Sequence, residues 1–188
     1  LAHAMTANEI PAMVQLRIVK EEKPQPGVDY FVAGKANESL FTTPAAIARI
    51  FRGKAYRRKI TISAAGSKDI NQRELRYHWV LLRGDPTKVQ IKPQNDSKSA
   101  VEITVAHHEK RPIREGAKLQ SSRVDIGCFV HNGANYSAPG FVTFYFLNSE
   151  RRVYNEQKQI VSIEHKGGKG RYVDPLIEPA KNWKDTFQ

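Results

Sequence analysis

The chain holds a single cysteine, Cys128, so no disulfide can form within it. That is compatible with the cytosol and with a bacterial secreted domain, and it argues against a disulfide-stapled animal extracellular module. No run reaches the ~18 apolar residues a membrane-spanning helix needs. There is no internal repeat and no low-complexity stretch. No Gly-x-Ser-x-Gly elbow and no His-Glu-x-x-His pair is present. Lys166-Gly-Gly-Lys-Gly170 has the composition of a phosphate cradle but lacks the Lys-Ser/Thr pair and the helix start that make one. These absences predict a chain that is not an enzyme and carries no cofactor. No signal-peptide pattern opens it. Residues 1–5, Leu-Ala-His-Ala-Met, read as a cloning remnant, which predicts a piece of a longer protein.

Acidic residues are also in short supply. Nineteen Asp and Glu face thirty Lys and Arg, a formal charge of +11 over 188 residues. The basic residues spread along the chain, with small clusters at 52–59, 108–114, 151–152 and 165–171. A dispersed excess reads first as a soluble, diffusely positive surface. The sharper alternative is a partner that is a polyanion: nucleic acid, acidic glycan or anionic lipid surface.

What is present is a run of alternating segments. Strands are expected at 57–64, 74–83, 88–92, 99–107, 121–131 and 140–147, spaced and punctuated as in an all-β sandwich. Parity places Ile60, Ile62 and Ala64 on one face; likewise Leu75, Tyr77, Trp79 and Leu81; Val101, Ile103 and Val105; and Val124, Ile126, Cys128 and Val130. These sets are expected to meet in one core with Trp79 at its centre. Cys128 then reads as a small inert hydrophobe.

Three stretches follow. Residues 6–54 are a lead-in packed on the sandwich: a strand over Met13–Val19 burying Val14, Leu16 and Ile18, a short apolar run from Tyr30, and a helix over Thr43–Gly53. For that helix Thr43 caps, Pro44 takes the first turn, Ile47, Ile50 and Phe51 form a stripe, and Gly53 stops it. Residues 55–147 are the sandwich. Residues 148–188 supply a hairpin turning at Asn155–Lys158 and a short helix from Asp174.

The segment Ala64-Ala-Gly-Ser-Lys-Asp-Ile-Asn-Gln-Arg-Glu-Leu-Arg-Tyr-His-Trp79 resembles the signature of PKD-like and cadherin-like repeats, a small-residue turn followed by Leu-x-Tyr-x-Trp. Val124–Tyr145 resembles that family's last two strands, joined through Ser137-Ala-Pro139. The Trp-Asp-Phe-Gly-Asp-Gly run of the family is replaced by Trp79-Val-Leu-Leu-Arg-Gly-Asp-Pro86. The resemblance covers about half the chain. It implies an immunoglobulin-like (PKD-like) antiparallel β-sandwich, here with short helical N- and C-terminal extensions. It further implies an accessory module of a large secreted or surface-attached bacterial protein, flanked by adjacent domains and working as a spacer or on polysaccharide.

Candidate site residues follow from side-chain chemistry. The loop after residue 130 offers His131, Asn132, Asn135 and Tyr136: amides, a stacking ring and a tip position. Lys110 and Arg114, in the connection before that strand, are expected to lend charge for an acidic glycan. Arg76, His78 and Val80, with Phe129, Phe141 and Tyr145, share an outer face, which the lead-in or the C-terminal segment is expected to cover. Asp69, Asn71 and Glu74, with Ser67, are a weak calcium candidate, thin in carboxylates; the simpler reading is an Asx turn. A third functional class, a metal-dependent hydrolase, would need His107, His108, His131 or His78 to converge.

Overall fold

The computed structural model describes residues 6–25, 28–29, 38–166 and 182–187, and these are mainly β. The strands are β1 (Arg17–Glu21), β2 (Ser39–Thr42), β3 (Ala46–Phe51), β4 (Arg57–Ser63), β5 (Arg76–Arg83), β6 (Val89–Pro93), β7 (Ala100–Ala106), β8 (Arg111–Pro112), β9 (Gln120–Ser121), β10 (Val124–His131), β11 (Gly140–Phe146), β12 (Glu150–Tyr154), β13 (Ile160–His165) and β14 (Trp183–Thr186). No helix among the described residues is long and apolar enough to cross a membrane.

Two sheets share the core. One runs β1-β4-β7-β6 and the other β2-β3-β11-β10-β5. All pairings are antiparallel except β3 with β11, which run parallel from Ala46–Phe141 to Phe51–Phe146. The parity sets read from the sequence do meet between them. Ile60, Ile62, Ala64, Val101, Ile103, Val105, Val124, Ile126, Cys128 and Val130 are buried in one apolar cluster. Alternation delivers this because successive side chains in a strand point to opposite faces. Leu16 is buried in the same cluster and Val14 and Ile18 pack on it, but of the strand expected over Met13–Val19 only the end from Arg17 is in β1.

Trp79 faces the core but stands at its edge. β5 is the last strand of its sheet, and Trp79 is half-buried, with its indole N–H donating to the Lys98 carbonyl at 2.9 Å. The centre belongs instead to Ile62, Ile103 and Ile126 with their valine neighbours.

The helix expected over Thr43–Gly53 is a strand. The Thr43 hydroxyl accepts from the Ala46 N–H, but the geometry closes the β2–β3 turn rather than capping a helix. The Pro44 carbonyl accepts from Leu16 N–H. Ile47, Ala48, Arg49, Ile50 and Phe51 are all buried, the mark of a strand covered on both faces, for which periodicity cannot distinguish strand from helix. Arg49 is tolerated there because Glu21 of β1 pairs with it, Nη2 to Oε2 at 3.1 Å. The short run from Tyr30, the Gly167–Gly170 loop and the helix start at Asp174 lie outside the described residues. The described part of the C-terminal segment, β14, is extended and pairs with β13. Among the described residues no helical extension is seen beyond a single 3-10 turn at Ala7–Glu9.

The hairpin at Asn155–Lys158 is present. It joins β12 to β13 in a third sheet, β12-β13-β14, and Lys158 takes the left-handed conformation at φ 63°. Arg152 fastens this sheet to the core: its buried guanidinium pairs with Glu150 at 2.8 Å and donates to the Gly53 and Arg52 carbonyls at 2.6 and 3.0 Å.

Candidate ligand-binding face

The loop after β10 is built around an amide. Asn132 is buried, and its Oδ1 accepts from the N–H groups of Ala134 and Asn135, which bends the chain; Gly133 at the tip has φ +90°. Its Nδ2 donates to Asp69 Oδ1 at 2.6 Å and to the Ile10 carbonyl at 2.9 Å. Asn135 Nδ2 donates to the Glu9 carbonyl at 2.7 Å. Both amides proposed from the sequence as ligand contacts therefore tie the loop to the rest of the chain. A tip position suggested exposure, but the loop folds inward onto the Ile10 and Asp69 segments.

Tyr136 is left outside. Its ring is 56% exposed and stands edge-on to two imidazoles, His131 at 4.6 Å and His78 at 5.3 Å between centroids. The Gly133 N–H donates to His131 Nδ1 at 3.1 Å. The register explains the meeting: Phe129 lies opposite His78 and His131 opposite Arg76, so one outer face gathers residues from β5, β10 and the loop.

That face continues along the sheet. Val80, Leu82 and Phe141 are 43%, 46% and 40% exposed, so among the described residues neither the lead-in nor the C-terminal segment covers these side chains. Gly127 keeps the surface low. A Cβ there would lie 2.9 Å from Leu82 Cδ1 and 3.0 Å from Phe129 Cε2, so both side chains lie down over a bare backbone.

The other proposed residues lie apart from this group. Arg114 lines a cleft at the opposite end of β10, beside Leu82, Arg83 and Arg123. Lys110 is exposed beside Asn148, Glu150 and Glu164. The span of β10, about 3.3 Å per residue, separates the start of that strand from Tyr136. The connection that carries them enters β10 at its far end, so they stand away from Tyr136 although they are near that strand in sequence.

Asp69, Asn71 and Glu74 form no ligand set. Asp69 Oδ2 accepts from the Asn71 and Arg73 N–H groups and Oδ1 from Asn132, while Asn71 Nδ2 donates to the Ala7 carbonyl. The hydrogen bond from Asn132 and those from the backbone hold the Asp69 carboxyl below its ordinary range. This is the Asx turn. Ser67 is likewise engaged, donating to the Ala64 carbonyl and accepting from Gln15 N–H.

The histidines fall into two separate pairs, His78 and His131 around Tyr136 and His107 and His108 beside Phe146. His108 Nε2 accepts from Asp85 N–H and its Nδ1 faces the Ala106 carbonyl, so both ring nitrogens are engaged. His107 is buried between the rings of Phe146 and Tyr154 with Nδ1 unpartnered, and burial with Arg152 nearby lowers its pKa to about 3. No group of three or more His, Cys, Asp or Glu side chains suited to a metal ion occurs among the described residues.

No protein-family model, curated protein or solved structure matches the chain.

Proposed function

We propose that the chain is a PKD-like, immunoglobulin-like β-sandwich module that works by binding rather than by catalysis. On this reading it is an accessory unit of a secreted or surface-attached bacterial protein, holding adjacent domains apart and contacting polysaccharide through the outer face of its five-stranded sheet. The observation that carries the reading is Tyr136: an exposed ring braced by His78 and His131 at the head of a flat apolar strip of Phe129, Leu82 and Val80. A braced ring loses little freedom when a sugar stacks on it, and an exposed apolar strip of this kind marks an interaction surface.

The test is affinity electrophoresis of the full chain through gels carrying neutral glucans. Retention is expected, and it should fall to background in Tyr136→Ala while melting stays unchanged. No retention on any neutral polysaccharide, or retention that survives Tyr136→Ala, overturns glycan stacking on this face and leaves the module a spacer.

A further inference from the structure

A cleft of about 510 Å³ lies where the β8–β9 arm folds back against the end of β5. Four arginines line it: Arg83 from β5, Arg111 and Arg114 from the arm, and Arg123 just before β10. Its size is within the range of small-ligand clefts.

The charges in and behind it leave a surplus. Arg83 and Arg123 share one buried carboxylate, Asp125, at 3.6 and 2.7 Å. Asp125 also accepts from the Thr143 hydroxyl at 2.8 Å, so it is fixed behind the guanidiniums. Arg111 reaches Asp85 at 3.8 Å, a long and solvent-screened contact. Arg114 has no ion-pair partner among the described residues, and Glu115 stands at the cleft wall. Four guanidiniums thus meet three carboxylates, which leaves one positive charge over. His108 lines the cleft as well, but with both nitrogens engaged it adds no free donor.

The geometry points to a subsite for one carboxylate or sulfate group carried on the ligand chain. Guanidinium presents a planar fork of donors that matches such a group in bidentate fashion, and Arg111 and Arg114 sit on the solvent side with their forks uncommitted or weakly committed. Leu82 joins this cleft to the apolar strip: it lies over Gly127 on the sheet face and also forms part of the cleft wall. A sugar chain lying along β5 from Tyr136 reaches the arginines at its other end, so the substrate class becomes an acidic glycan. This rests on the glycan reading of the sheet face. A surplus of one charge does not suit a nucleic-acid backbone, whose binding draws on many phosphate contacts.

The experiment compares wild type, Arg111→Ala/Arg114→Ala and Tyr136→Ala in gels of polygalacturonate, dextran sulfate, neutral glucan and single-stranded DNA. Both arginines are exposed, so the double variant is expected to fold, and its melting curve checks this. The proposal expects the double variant to lose tenfold or more of its retention on polygalacturonate or dextran sulfate while its behaviour on neutral glucan matches wild type. Tyr136→Ala should weaken both kinds of gel. Acidic-gel retention untouched in the double variant overturns the cleft while leaving the sheet face standing. Acidic retention that needs the arginines, without any neutral binding, keeps the cleft and overturns the stacking face. Stronger arginine-dependent retention on DNA than on either acidic glycan overturns the assignment in favour of phosphate. Complete competition by millimolar inorganic sulfate overturns it in favour of a free anion.

Discussion

Asn132 Nδ2 donates to Asp69 Oδ1 at 2.6 Å, joining the turn before β5 to the loop after β10. The amide is buried and makes four hydrogen bonds, two of them to distant segments. Asn132→Ala is expected to lower stability by about 1–3 kcal/mol, because it removes four hydrogen bonds, one of them to a carboxylate, that tie two distant segments to the loop. It should also soften the acid limb of the stability curve. The folded carboxyl of Asp69 sits below its unfolded value, so its contribution is present above the unfolded pKa and is lost as pH falls through the folded one. Urea titrations at a series of pH values, wild type against variant, check both parts; identical curves would remove Asn132 from the role given to it.

Arg152 and Glu150 form a buried pair, with side chains 2% and 7% exposed. Removing one partner leaves the other charge buried and the Gly53 carbonyl without its donor. Arg152→Met is expected to cost about 3–5 kcal/mol, and adding Glu150→Gln should recover part of that loss. Chemical denaturation of the three proteins measures it. Equal stability of the single variant and wild type would show that the third sheet is not fastened through this guanidinium.

His107 is buried and neutral when folded, with its pKa lowered to about 3 by burial first and Arg152 second. The unfolded chain binds a proton there from about pH 6.5 downward while the folded chain does not, so stability falls as pH drops from about 6.5 toward 3. His107→Phe should match the rings of Phe146 and Tyr154 and remove the unpartnered Nδ1. Its stability at pH 7 is expected to equal or exceed wild type, with a flatter decline into acid. Melting temperatures from pH 7 to pH 4 would show a steeper decline if the reasoning fails.

Cys128 lies in the core, and burial pushes its thiol up to about 12. Little thiolate forms near neutrality, and access is blocked. A disulfide-exchange reagent at pH 8 should leave the folded chain unlabelled and label it fully in denaturant. Rapid labelling of native protein would contradict the core assignment.

Much of the sheet structure was legible because half-buried strands alternate. Strands β4, β5, β6, β7, β10 and β11 fall within a few residues of their expected positions, and the inward sets are the ones parity named. The pattern fails where burial is two-sided. In Ile47–Phe51 every side chain is covered, so Thr43, Pro44 and Gly53 looked like helix punctuation when they serve a turn and a strand end. The site was legible in part for a similar reason. Tyr136 is exposed by local geometry, but Asn132 is turned inward by partners more than sixty residues away in sequence. The arginine cleft takes its cations from β5, the β8–β9 arm and the start of β10, and no local spacing announces that they meet.

The parallel pairing of β3 with β11 sets an order of events in time. β3 is made early by the ribosome, yet its partner does not exist until residues 140–146 have emerged, and closing so long a loop costs entropy before any ladder bond repays it. The antiparallel neighbours β4–β7, β6–β7 and β10–β11 can zip with shorter loops. The second edge of β3, a strand with every residue of Ile47–Phe51 buried, is therefore among the last to be seated. Until then Ile47–Phe51 is paired on one edge only, through the local β2–β3 hairpin, and its other edge is an open apolar ladder available for association with its own copies on the way to the fold.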